Sequence, residues 1–122
     1  MDSCGVKPLL LVLALAVLSA CGSQPPFDYA AACAMAKAPA SSPADLRRIS
    51  DTINGANHAG NHNYQPKGSN VERWTAAVLL AEAARMAATP YALPSYLQGN
   101  LPNQPDTTEV RALQRRLTAA CA

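Results

Sequence analysis

Apolar residues recur at helical spacing in four stretches of the chain, approximately residues 27–38, 43–54, 70–88 and 107–120. In the second stretch Leu46, Ile49 and Ile53 form one stripe. The fourth carries a similar stripe, made of Val110, Leu113, Leu117 and Cys121. The third stretch has large apolar residues in nearly all directions, as is usual for the central helix of a bundle. The pattern predicts an all-α fold, a small bundle of about four helices.

Residues that start and stop helices support these bounds. Two serine-acid pairs have the three-residue spacing of a capping box, Ser42 with Asp45 and Ser69 with Glu72. Asp106 is placed to cap the fourth helix, and Gly55 to end the second in the left-handed conformation. The helices are therefore expected to begin and end close to these residues.

Two long loops separate the predicted helices, at residues 55–69 and 90–105. Loops of this length are uncommon in compact domains and are often functional. The second loop places apolar side chains between prolines, namely Tyr91, Leu93, Tyr96, Leu97 and Leu101. Such residues on a stiff segment are typical of interface cores. They predict either a lid over the end of the bundle or a surface that binds a partner. Trp74 is likewise expected to be either a core residue or an interface residue.

The first 20 residues have the order of a secretory signal peptide. A short polar start that includes Lys7 is followed by an apolar stretch from Leu9 to Leu18 and then by small residues. This stretch is shorter than the roughly 20 apolar residues that a membrane-spanning helix needs. Export followed by cleavage is therefore the expectation.

The end of this segment, Leu18-Ser19-Ala20-Cys21, resembles the lipobox of bacterial lipoproteins. The resemblance implies that the sulfur of Cys21 receives a diacylglyceryl group and that cleavage occurs before it. It further implies a signal peptide at residues 1–20 and a lipidated tether at 21–26, so that the helical domain predicted from the apolar pattern occupies residues 27–122. The protein would then be exported and anchored by lipid to the outer face of the bacterial cell membrane or elsewhere in the envelope.

Two cysteines remain once Cys4 is removed with the signal peptide and Cys21 carries lipid. Because exported proteins fold where disulfides form, Cys33 and Cys121 are expected to pair. Two free buried thiols, or separate metal ligands, are the alternatives.

Composition excludes several classes of function. Hydrophobic residues make up 49% of the chain, aromatic residues 5%, and the net charge is +2. The basic residues are not clustered as nucleic-acid binding requires. No nucleophile elbow, phosphate loop or zinc-protease motif occurs in the sequence, so neither an enzymatic activity nor a bound cofactor is predicted.

The first long loop contains both histidines, and with Tyr64 they form the one candidate ligand set. His58 and His62 are four residues apart, and histidine and tyrosine can ligate zinc, copper or haem iron. Solvated loop residues are the alternative, because the neighbouring glycine and asparagines disfavour a helix. The expected function is therefore a non-enzymatic envelope protein that binds a protein partner, of which a phage-encoded exclusion factor is one form. A metal or haem carrier is the alternative.

Overall fold

The computed structural model describes residues 25–60 and 63–122. The predicted signal peptide, the lipidation site Cys21 and His62 lie outside the described residues. The helices are α1 (Tyr29–Ala34), α2 (Pro43–Ala56), α3 (Asn70–Ala88), the short α4 (Ser95–Gln98) and α5 (Thr108–Cys121), and 3₁₀ turns at Met35–Lys37 and Thr89–Ala92 extend α1 and α3. The described residues contain no strand, and the predicted all-α fold is confirmed.

Helix α1 begins after Asp28, whose Oδ1 accepts a hydrogen bond from the amide of Ala31 at 3.1 Å. This cap places the start two residues later than the apolar pattern predicts. Phe27 instead makes an isolated bridge with Asn57, at the end of α2. The first apolar residue of the pattern therefore joins two segments and is not part of the helix.

Helix α2 begins with the predicted capping box. Ser42 Oγ accepts a hydrogen bond from the Asp45 amide at 3.1 Å, and Asp45 Oδ2 accepts one from the Ser42 amide at 3.3 Å. Hydrogen bonds from Ser41 and Ser42 lower the pKa of the Asp45 carboxyl. The role predicted for Gly55 is wrong, since α2 continues to Ala56, whose carbonyl accepts from the amide of Asp28 at 2.8 Å. The segment before α1 thus supplies a hydrogen-bond donor to a carbonyl at the end of α2, so a glycine in the left-handed conformation is not needed there.

Helix α3 has the predicted bounds but not the predicted cap. Ser69 has helical backbone angles and makes no capping hydrogen bond with its side chain. The helix starts through a tight turn in which the Asn70 amide donates to the Lys67 carbonyl at 3.1 Å. Glu72 pairs with Arg116 of α5, which lowers the pKa of the Glu72 carboxyl. The Glu72 side chain therefore takes part in a contact between helices and does not form the predicted capping box.

Helix α3 packs against α1, α2 and α5. Its inward side consists of Leu80 and small residues, and the other large core residues come from the surrounding elements: Phe27, Leu46, Ile49, Ile53, Val110 and Leu117. Helix α3 is the central helix of the bundle, as its apolar pattern predicts, but Val71, Leu79 and Met86 are exposed, so its apolar residues are not buried on every side. None of the helices in the described part of the chain has the length and apolar character needed to cross a bilayer.

A disulfide between Cys33 of α1 and Cys121 of α5 closes the bundle, as predicted. A second connection lies farther along the same two elements, where buried Gln114 donates through Nε2 to the carbonyls of Met35 and Ala38 at 3.0 and 2.9 Å. Because α1 is only six residues long, these two connections hold it against α5.

Candidate functional site

One end of the bundle, here called the proximal end, lies where the described chain begins. The carbonyl of Pro26 accepts hydrogen bonds from the amides of His58 and Ala59 at 2.8 and 3.1 Å, so Pro25 and Pro26 lie at the end of α2. The start of α3 is at the same end, because the ring of Tyr64 contacts both Phe27 and Trp74. Glu72 pairs with Arg116, and Arg73 Nε donates to the Ala120 carbonyl at 2.7 Å, near the end of α5. Helices α3 and α5 are therefore antiparallel.

The opposite end, here called the distal end, contains the end of α3. A cleft of about 170 Å³ is lined by Arg47 and Asp51 of α2 together with Arg85, Thr89 and Ala92. A second groove, beside Met86, is lined by the first turn of α5. Since α3 has 19 residues, at 1.5 Å per residue it separates the two ends by about 28 Å.

The residues directly after this distal cleft form a compact turn, residues 93–97, here called the Tyr-Leu segment. The Leu97 amide donates to the Pro94 carbonyl at 2.8 Å, and Gln98 Nε2 donates to the Leu93 carbonyl at 2.7 Å. Tyr91, just before it, donates its hydroxyl to the carbonyl of Pro102 at 3.1 Å. These bonds fix the backbone of the segment next to the distal cleft.

The side chains of the Tyr-Leu segment are exposed despite this fixed backbone. Tyr96 is 82% exposed, Leu97 56% and Leu93 44%. A lid would place these side chains against the end of the bundle. These three side chains therefore do not cover the end of the bundle as a lid would, whereas Tyr91 and Leu101 are partly covered.

The stretch of sequence that contains the segment carries no formal charge. No Asp, Glu, Lys, Arg or His occurs between Arg85 and Asp106. Depletion of charge together with exposed aromatic and aliphatic side chains is the compositional mark of an interface core. The Tyr-Leu segment thus presents an uncharged apolar surface with a fixed backbone, beside a cleft that Arg47, Asp51 and Arg85 line.

Four aromatic rings pack together at the proximal end. Phe27 lies 4.9 Å from Tyr29 and 6.4 Å from Tyr64 between ring centroids, and Tyr64 meets Trp74 edge to face at 6.4 Å. The hydroxyls of Tyr29 and Tyr64 are 2.5 Å apart, and burial together with this hydrogen bond raises the pKa of Tyr29. Trp74 packs against the core with a buried Nε1 that has no acceptor. These contacts make Trp74 part of the core.

The candidate metal or haem ligands are not brought together by the described residues. His58 is exposed, and its Nδ1 lies 3.1 Å from the Pro25 carbonyl oxygen. The Tyr64 hydroxyl is engaged with Tyr29, and His62 is outside the described residues. Among the residues that the structure describes, no three His, Cys, Asp or Glu side chains are grouped as metal binding requires. The geometry therefore adds no support to the carrier hypothesis.

Comparison of the chain with models of known families, with curated proteins and with solved structures finds no match. The exposed side of α3, with Val71, Leu79 and Met86, is a second apolar surface that the apolar pattern did not predict. In the sequence, only the alanines on the opposite side of the helix indicate that this side is exposed.

Proposed function

We propose that the mature protein is a lipid-anchored, non-enzymatic binding module of the bacterial envelope, and that it contacts a protein partner through the Tyr-Leu segment. The observation that carries the proposal is the exposure of Leu93, Tyr96 and Leu97 at the end of the bundle opposite Pro25. The lipobox supplies the anchor, and the distal surface supplies the contact.

The placement of the two ends supports this arrangement. From Cys21 to Pro25 the chain can span at most about 14 Å, so lipid on Cys21 would hold the proximal end near the bilayer. With α3 along the membrane normal, the distal surface would lie about 28 Å farther away, the length of α3. At that distance Tyr96 and Leu97 do not reach the hydrocarbon core of the same membrane. An envelope protein that projects from the membrane is the partner that this height fits.

Replacing Cys21 with serine is expected to move the protein from the membrane fraction to the soluble fraction. The hydroxyl of serine cannot take the place of the thiol that receives the diacylglyceryl group, and each lost methylene removes roughly 0.8 kcal/mol of membrane binding. The measurement is fractionation of cells that produce wild type or Cys21→Ser, with Cys4→Ser as the matched control. Continued membrane association of Cys21→Ser would contradict the lipid anchor.

The double variant Tyr96→Ala/Leu97→Ala is expected to capture at least about tenfold less partner. Interface residues of this kind each contribute more than about 1 kcal/mol, and 1.4 kcal/mol corresponds to a factor of ten in affinity. The melting temperature should stay within roughly 2 °C of wild type, because both side chains are exposed. The partner is first identified by placing a photo-reactive phenylalanine at position 96 in intact cells, and its capture is then compared between variants.

The control for this experiment is the same photo-reactive residue at position 48. Arg48 is exposed on α2 and does not line the distal cleft beside the Tyr-Leu segment. A product formed from position 96 and absent from position 48 supports the proposed surface, and Tyr96→Phe should retain most of the capture. If both positions yield the same products, or if the double variant captures as well as wild type, the Tyr-Leu segment is not the contact.

A further inference from the structure

The two halves of the bundle differ in charge. The proximal half contains five basic side chains that are scattered in sequence: Lys37, Lys67, Arg73, Arg115 and Arg116. It contains two acidic side chains, Asp28 and Glu72. Among the described residues, five cations and two anions give the proximal half a formal side-chain charge of +3.

Contacts at the start of α3 place two of these cations. The Lys67 carbonyl accepts a hydrogen bond from the Asn70 amide at 3.1 Å, directly before the helix. Arg116 pairs with Glu72 in the first turn of α3, so Arg115 also lies near the level of that turn. Both Lys67 and Arg115 are therefore close to the proximal end.

Two further cations lie near the end of α5. Lys37 lines a groove together with Cys121. Arg73 donates through Nε to the carbonyl of Ala120. The fold thus gathers basic side chains from four separate parts of the sequence around the end of the bundle at which Pro25 lies.

The distal half has more acidic than basic side chains. Its acids are Asp45, Asp51, Glu82, Asp106 and Glu109. Its bases are Arg47, Arg48, Arg85 and Arg111. Five anions and four cations give a formal side-chain charge of −1 in this half. The domain is therefore polarised along its length, with its basic end where the lipobox cysteine precedes it in sequence.

Three of the basic side chains in the proximal half are available to an external anion, and we call them the proximal cations: Lys37, Lys67 and Arg115. All three are exposed, and their side chains make no hydrogen bond or ion pair within the described part of the chain. Arg116, in contrast, is paired with Glu72.

We infer that the proximal cations dock on anionic phospholipid headgroups of the membrane that holds the anchor, and that this contact keeps the domain upright. The inference rests on the proposed function, because lipid on Cys21 brings the proximal end to the bilayer. The tether from Cys21 to Pro25 spans at most about 14 Å, and less when it is not fully extended. The cations can therefore come within the Debye length of about 8 Å from the headgroups.

The charge difference selects one orientation of the tethered domain. A lysine or arginine near an anionic surface favours the contact by roughly 1.4-fold to fivefold each, so three of them favour it by up to about 100-fold. The distal half has the opposite sign and is repelled. A domain without this preference would also lie on its side, where Tyr96 and Leu97 meet the same bilayer. The proximal cations thus keep the Tyr-Leu segment available to a partner.

The test measures the height of two labelled positions above a vesicle surface. Ser69→Cys and Ser95→Cys are a matched pair, because both serines are exposed, one before α3 and one in the Tyr-Leu segment. Cys33 and Cys121 are bonded to each other, so the new thiol of the purified lipidated protein takes a fluorophore. Quenching by a lipid with a quencher on its headgroup is compared between the two positions.

The ratio of quenching at position 69 to quenching at position 95 is the readout. We expect it to be at least about threefold higher in phosphatidylcholine vesicles with roughly 30% phosphatidylglycerol than in phosphatidylcholine alone. In about 1 M salt, where the Debye length is about 3 Å, the difference should disappear. A ratio that does not respond to phosphatidylglycerol would overturn the inference.

Charge reversal at each end separates position from net charge. Lys67→Glu/Arg115→Glu is expected to abolish the response to phosphatidylglycerol. Arg47→Glu/Arg48→Glu changes the net charge by the same amount at the distal half, and it should respond as wild type does. All four side chains are exposed, so both variants should keep the melting temperature of wild type. Equal responses of the two double variants would contradict docking through the proximal end.

Failure of the anchor and failure of the docking are separate results. Flotation of the protein with phosphatidylcholine vesicles scores the anchor, and the response to phosphatidylglycerol scores the docking. A protein that does not float with phosphatidylcholine has no anchor, and its binding to anionic vesicles then tests the cations alone. In that case binding that Lys67→Glu/Arg115→Glu lowers at least about tenfold supports the basic surface, and absence of binding overturns it.

Discussion

Removal of the disulfide is expected to lower the free energy of unfolding of the domain by about 4 kcal/mol. Cys33 and Cys121 are 88 residues apart in sequence, and on the chain-entropy model closure of a loop of this length restricts the unfolded chain by about 4 to 5 kcal/mol. Domains of this size are stable by only about 5 to 15 kcal/mol. Cys33→Ser/Cys121→Ser should therefore melt roughly 15 °C or more below wild type.

Thermal unfolding in the presence and absence of a reductant provides the control. Reduced wild type should melt with the double variant, and the double variant should not respond to the reductant. The connection from Gln114 to the carbonyls of Met35 and Ala38 remains in both cases, so α1 is expected to stay attached below the lowered melting temperature. Two reactive thiols in unfolded, unreduced wild type, or a reductant with no effect, would contradict the prediction.

Local signals predicted the parts of the fold that local interactions determine. The capping box of α2 needs only Ser42 and Asp45, and both side chains make the expected hydrogen bonds. The stripe of Leu46, Ile49 and Ile53 is buried as its spacing predicts. The pairing of Cys33 with Cys121 is predicted from the expected export and from the position of Cys121 on the apolar stripe of α5. The capping box and the apolar stripe depend on residues within a few positions of one another, and the disulfide prediction depends on a count of cysteines.

Interactions between distant segments account for the errors. The capping box expected at Ser69 is not formed, because Glu72 pairs with Arg116, 44 residues away. The helix end expected at Gly55 is moved by the Asp28 amide, which the fold brings to the carbonyl of Ala56. Neither partner is visible from spacing within one helix.

The sequence does not predict which side of α3 faces the core, and the reason is different. Apolar residues lie on all sides of this helix, so its period does not say which side is inward. The structure buries the side with the alanines, because small residues allow α1, α2 and α5 to approach closely. The sequence likewise does not predict whether the Tyr-Leu segment is exposed, because its composition is typical of a lid as well as of an interface.

Replacing Phe27 with alanine is expected to lower the free energy of unfolding by about 3 to 5 kcal/mol, the usual effect of removing a buried aromatic side chain. Phe27 is 1% exposed, contacts Tyr29 and Tyr64, and bridges to Asn57 through its backbone. Urea unfolding of the disulfide-bonded protein is the measurement, because the disulfide should keep Phe27→Ala folded in the absence of denaturant.

Tyr29→Phe is the matched control for this experiment. It keeps the ring beside Phe27 and removes only the hydroxyl that bonds to Tyr64, so a loss of roughly 0.5 to 1.5 kcal/mol is expected. A loss near that value for Phe27→Ala would show that the aromatic cluster relaxes around the missing ring and does not hold the proximal end together.

Because Phe27 is six residues after Cys21 and about 28 Å from the distal end, folded Phe27→Ala should capture partner as wild type does. Loss of capture by the folded variant would mean that the partner contacts the proximal end and not the Tyr-Leu segment.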